Sequence, residues 1–248
     1  MSERNAVEKV LFAALERERL VNLHHNRLRA EYDIANRVLT LEGEMDNIVA
    51  KRRAYECASR IAEVDGVIDR LRVRPAEPRG DGAIRASITQ SLLAEPALRD
   101  YALHVYHKGI METLRVVPGS RDVVGVGIDD GVVEITGHVG SLSHKRLVGA
   151  LAWWTPGCRD VLNELQVNPP EQDSDGELAD ALRLVLEKDP LVLHADDIGA
   201  VVRNGVVTLS GVVTTEEERR MAEFDAWYLV GVRDVQNGME VRRTTGRV

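Results

Sequence analysis

Two pairs of adjacent aromatic residues, Trp153-Trp154 and Trp227-Tyr228, occupy corresponding places in the chain, and each pair is followed at the same distance by an arginine, Arg159 and Arg233. Amphipathic rings beside guanidinium groups are suited to a phospholipid surface or a protein partner, the rings burying apolar area and the guanidinium meeting phosphate or carboxylate. On a helix Trp154 and Tyr228 would lie about 200° from Ala152 and Ala226, pointing away from whatever those alanines cover. Two readings stay open. Either the rings wedge into lipid headgroups, with the arginines on the phosphates, or they pack one part of the chain against another.

Other reactive residue types lack an arrangement that chemistry could use. His104 and His107 do not have the spacing of a helical zinc pair and have no Cys or acidic partner nearby, His24-His25 is weaker still, and no metal is expected. No Ser/His/Asp constellation, phosphate-cradling glycine loop or paired-carboxylate cleft emerges, and Asp129-Asp130 and Asp196-Asp197 read as turn residues. A non-enzymatic role without a cofactor is expected.

The elements behind these residues are repeated. Val38-Leu39-Thr40-Leu41-Glu42-Gly43, Val132-Val133-Glu134-Ile135-Thr136-Gly137 and Val206-Val207-Thr208-Leu209-Ser210-Gly211 share one pattern. The separation from Gly43 to Val73, Gly137 to Val167 and Gly211 to Val241 is identical, so one supersecondary unit is present three times. Ahead of each strand runs another with apolar alternation, Ala30, Tyr32 and Ile34 aligning with Val124, Val126 and Ile128 and with Ile198, Ala200 and Val202. Asn36-Arg37, Asp130-Gly131 and Asn204-Gly205 lie between the two as tight hairpin turns, Arg37 being the poor member. Asn47, Ser141 and Thr215 are placed to cap a following helix, Thr215 and Glu218 as a capping box. That helix carries a narrow stripe of small apolar residues: Ala54, Ala58 and Ile61; Val148, Ala152 and Thr155; Ala222, Ala226 and Leu229. Another amphipathic helix precedes each hairpin. The fold class is therefore α+β, three repeats of an α-β-β-α-β sandwich in which a three-stranded sheet is covered by two helices. Pro- and Gly-containing linkers divide the chain at 1–74, 81–168 and 175–243. An insertion near 99–123 in the second repeat reads as an added hairpin that covers a neighbouring copy.

This order of elements, with its Gly-Val-Val-x-Leu-x-Gly hairpin and the later Gly-Val-x-x-Val-x-Asn-x-Leu-x-Val strand, resembles the BON family (bacterial OsmY and nodulation domain). The third copy carries the pattern through Gly205, Gly211, Gly231 and Asn237, the second through Gly131, Gly137, Gly157 and Asn163, and the first, with Gly43, by spacing more than identity, having Glu63 and Asp69 in place of Gly and Asn. These motif residues are structural. The resemblance implies binding of a phospholipid surface or a membrane-proximal partner, associated with osmotic or related stress. The main alternative is a protein interaction or homo-oligomerisation scaffold, and the third a potassium-binding sensor.

The net charge of −8, with its acidic excess in the third copy, argues against nucleic acid as a partner. Lys51-Arg52-Arg53 makes the first copy locally basic. Cys57 and Cys158 fall in different copies and do not suggest a disulfide. Met1-Ser2-Glu3 runs directly into a charged helical pattern without an export signal, so the cytoplasm is expected, with the periplasm the alternative if a signal is removed from the chain.

Overall fold

Alternate residues of each repeated strand are fully buried, Leu39 with Leu41, Val133 with Ile135 and Val207 with Leu209, as one covered sheet face requires. In a computed structural model describing residues 3–242, the chain forms two compact units, Met1–Ala76 and Glu77–Val248. The expectations that touch Met1, Ser2 and Arg243 lie outside the described residues.

The first unit runs α1 (Glu3–Arg17), β1 (Arg27–Asp33), β2 (Val38–Met45), α2 (Ile48–Ser59) and β3 (Gly66–Val73), with β2 central, antiparallel to β1 and parallel to β3. Val7, Leu11 and Leu15 of α1 and Ala54 and Ala58 of α2 are buried in one core with Tyr32, Leu39, Leu41 and Leu71. Here the turn differs from expectation. Asp33 pairs with Val38, leaving a four-residue connection and setting Leu28, not Ala30, opposite Gly43. The cause is local: the Asp33 carboxylate accepts from the backbone N–H of Ala35 and Asn36 and from the Asn36 amide, a side-chain-closed loop that replaces the tight turn. Ile34 consequently sits in the loop and is exposed.

The second unit holds two sandwiches. One comprises α3 (Asp81–Ala94), β4 (Ala102–His107), β5 (Ile110–Arg115), β6 (Val123–Asp129), β7 (Val132–Val139), α4 (Leu142–Trp153), β8 (Asp160–Asn163) and β9 (Gln166–Val167). The other comprises α5 (Asp175–Lys188), β10 (Ile198–Arg203), β11 (Val206–Val213), α6 (Glu216–Tyr228), β12 (Asp234–Asn237) and β13 (Glu240–Val241). Their hairpins turn on Asp130-Gly131 and Asn204-Gly205, all four at positive φ. The Asp81 and Asp175 carboxylates each accept from both turn N–H groups, holding α3 and α5 to the hairpins. The closing strand is broken in both sandwiches. The Asn163 and Asn237 amides donate to the carbonyls of Lys145 and Arg219 while their oxygens accept from the N–H of Leu165 and Met239.

Gly43, Gly137 and Gly211 have φ of 138°, 120° and 118°, and a Cβ there would lie 1.7–2.1 Å from a carbonyl oxygen of the paired strand. Only glycine permits that approach. Asn47, Ser141 and Thr215 cap their helices through side-chain oxygens. The capping box is modified: Glu218 reaches past Thr215 to accept from the N–H and hydroxyl of Thr214, and also binds His194.

The insertion forms the β4–β5 hairpin. It extends its own sheet rather than covering a neighbouring copy, β4 running parallel to β6 at the edge in the order β5-β4-β6-β7-β8. Pairing satisfies one side of the ribbon, and the Arg115 guanidinium anchors it on the carbonyls of Tyr101 and Leu98. The Tyr101 hydroxyl lies 2.7 Å from His144 Nδ1 at the start of α4.

Candidate functional site

Residues 146–152 of α4 are buried on every side, the pattern of a helix packed on more than one face. One face meets its own sheet. Others meet α5 and α6 of the third copy. This explains the apolar run from Leu147 and carries the aromatic pairs into the junction between the two sandwiches.

There the rings are shared. Trp153 of the second copy stacks on Tyr228 of the third, with centroids 5.3 Å apart and planes 11° from parallel. Trp154 donates its indole N–H to Asp225 Oδ1 at 2.8 Å. Trp227 is fully buried. Of the two readings of these rings, the geometry matches packing between copies: Trp154 and Tyr228 each contact the other sandwich. Arg159 pairs with the carboxylate of Asp130 in its own hairpin turn, and the stem of Arg233 lies against Gly205 in the matching turn. Both arginines brace turns.

Gly157 and Gly231 follow α4 and α6 at positive φ. The Arg146 guanidinium, nearly buried, chelates Asp173 at 2.7 and 2.8 Å and donates to the Val230 carbonyl. Lys188 and Glu95 make a further link at 2.9 Å.

A pair of carboxyls at this junction escaped the sequence pattern. Asp189, just after α5, and Asp225, on α6, are both buried and line one cavity. Burial, then the neighbouring Asp189, drives the Asp225 carboxyl well above the usual carboxylate range; burial also raises Asp189. Burial raises the Tyr228 phenol and the Cys158 thiol. A cavity of about 230 Å³ opens here, lined by both aspartates, Trp153, Trp154 and Tyr228. No linear motif announces it, because the carboxyls come from segments far apart in sequence.

The second feature is the tip of the added hairpin. Ile110 and Met111 are 71% and 54% exposed beside His107 and Lys108. His104 contacts Thr113 across the ribbon, and three positions along a strand put it and His107 on opposite faces. Among the described residues no group of three or more His, Cys, Asp or Glu could hold a metal ion, and no helix is long and apolar enough to cross a membrane.

The BON domain family matches at residues 5–75, 118–169 and 174–243, which together span well over half the chain. No curated protein matches. Among solved structures, the C-terminal domain of CdsD, the structural protein of the type III secretion system of Chlamydia trachomatis, is 13% identical, with 97% of this chain and 100% of that one covered and a TM-score of 0.23. A second CdsD structure is 14% identical, with 94% and 91% covered and the same score.

Proposed function

The chain belongs to the BON domain family, as three tandem copies, and on that premise we propose that it is a stress-associated binding protein that docks on a phospholipid surface through the β4–β5 hairpin. Domains of this family are in general non-catalytic binding domains associated with stress or with membranes. The observation that carries the finer reading is the hairpin tip. Ile110 and Met111 are apolar and largely exposed, one on each face of the ribbon at its tip, so that the hairpin would enter end-on, and Lys108 and His107 stand at the same turn. Burying two such side chains contributes about 1.5–3 kcal/mol each, and a basic group near an anionic surface adds about 1 kcal/mol. We place this docking in the cytoplasm. The aromatic residues of the junction support it indirectly, by fixing the sandwich that presents the hairpin.

A second reading rests on β5 itself. It pairs with β4 only, among the described residues, so its other edge can accept a strand from a protein partner or a second copy. Co-sedimentation with neutral and anionic vesicles separates the two. Lipid docking requires that anionic vesicles pellet the protein, that salt weaken binding and that Ile110→Ser with Met111→Ser abolish it. Vesicles that leave the protein in the supernatant, together with a concentration-dependent dimer that the same substitutions do not disturb, would favour the edge strand.

A further inference from the structure

We infer that the cavity between the second and third copies is a binding site for a small organic cation carrying a primary ammonium group, held by Asp225 and Asp189 among the rings of Trp153, Trp154 and Tyr228. The inference is independent of the hairpin reading.

Asp225 is 1% exposed. Its Oδ1 takes the Trp154 indole N–H, and Oδ2 meets no donor apart from a proton that it and Asp189 would share. Asp189 accepts from the N–H of Leu191 and is otherwise turned to the same place. Two adjacent buried carboxyls cannot both ionise uncompensated, so the pair holds either a shared proton or a cation. Lys188, the basic residue next to Asp189, is turned to Glu95. The remaining titratable neighbours, Tyr228 on α6 and Cys158 beyond α4, are kept neutral by burial. Among the described residues no protein cation pairs with Asp189 or Asp225.

The cavity selects among cations. A bare metal ion would find two carboxyls and, among the described residues, no third His, Cys, Asp or Glu, and would leave most of about 230 Å³ unfilled. Leu191, Met221 and the aromatic rings that line the cavity can cover the alkyl part of an organic cation. The vacant lone pairs of Oδ2 call for an N–H donor, which a quaternary ammonium lacks. Binding therefore exchanges the shared proton for the ammonium: the proton leaves to solvent and affinity rises with pH.

Calorimetry of the full chain with n-butylammonium chloride tests this, with tetramethylammonium chloride and sodium chloride as comparators. Expected are saturable n-butylammonium binding that tightens as pH rises, weaker tetramethylammonium binding, and a loss of roughly tenfold or more in affinity in Asp225→Asn, whose amide oxygen can still accept from Trp154. Asp189→Asn carries the same expectation if Asp225→Asn does not fold. Absence of saturable binding, equal binding of tetramethylammonium, or undiminished affinity in the folded Asn variant would overturn the assignment and leave a proton-sharing pair alone.

Discussion

The indole N–H of Trp154 donates to Asp225 Oδ1 across 2.8 Å, and the two residues belong to different copies of the repeat. The end of α4 is thereby tied to the last turn of α6. Trp154→Phe keeps much of the ring but cannot donate, leaving a buried acceptor without its N–H partner. Such a loss costs about 1–3 kcal/mol. Urea denaturation should show a lower midpoint at unchanged slope; an unchanged midpoint would mean that the bond adds nothing to the junction.

Two buried acids give stability opposite dependences on pH. Asp225 is raised when folded, first by burial and then by Asp189, so the folded state holds the extra proton. Its contribution is fully present below about pH 3.8, the unfolded value, and is lost as pH rises through the raised one. Glu218 is raised by burial, but hydrogen bonds from Thr214 and His194 outweigh this and bring it from 4.5 to about 2. Its contribution is present above pH 4.5 and is lost as pH falls toward about 2. Asp225→Asn should flatten the decline on the alkaline side and Glu218→Gln the decline on the acid side. Stability curves from pH 2 to pH 9 that keep their slopes in both variants would contradict these assignments.

The repeat was legible wherever one residue type has one local use. Glycine at 43, 137 and 211 marks close backbone approach, and alanine at 54, 58, 152, 222 and 226 marks a helix lying on a sheet. Sequence also placed Trp154 and Tyr228 on outward faces. It could not choose between lipid and a neighbouring sandwich, because helical phase gives a direction and no partner. The register of the first hairpin was missed since Asp33 closes its loop with its own side chain, overriding the alignment with Asp130-Gly131. The Asp189 and Asp225 pair was invisible because tertiary packing alone brings it together.

A substitution in the first copy shows how the shared architecture absorbs change. Where Asn163 and Asn237 donate to a helix carbonyl, the first copy has Asp69, which has no amide to donate. Lys51, buried, pairs with the Asp69 carboxylate at 2.9 Å and donates to the Leu71 carbonyl at 2.6 Å, so part of the expected basic patch is internal. Lys51→Met would strand Asp69 and should cost about 3–5 kcal/mol. Adding Asp69→Asn should recover a large part, since an amide is neutral and fits this column in the other copies. A double-mutant cycle showing simple additivity would mean that the pair is not coupled.

The strand β11 offers a test of packing and backbone geometry two residues apart. Leu209 is fully buried, and Leu209→Ala removes core contacts and leaves a cavity, at a cost of about 2–5 kcal/mol. Gly211 is also indispensable, but for a different reason. At φ 118° an added Cβ would lie 2.0 Å from the Asp197 carbonyl oxygen, and the atom in the way is backbone. Gly211→Ala should therefore destabilise by well over about 1 kcal/mol, although it adds an apolar methyl and lowers the entropy of the unfolded chain, changes that are stabilising at an unstrained site. Replacing the adjacent exposed Ser210 by Ala should change little, within about 0.5 kcal/mol. Urea denaturation of the three variants separates the causes: a cost at Leu209 below half a kcal/mol would place the wrong face inside, and a tolerated Ala at 211 would show that β10 does not approach as closely as its pairing with β11 requires.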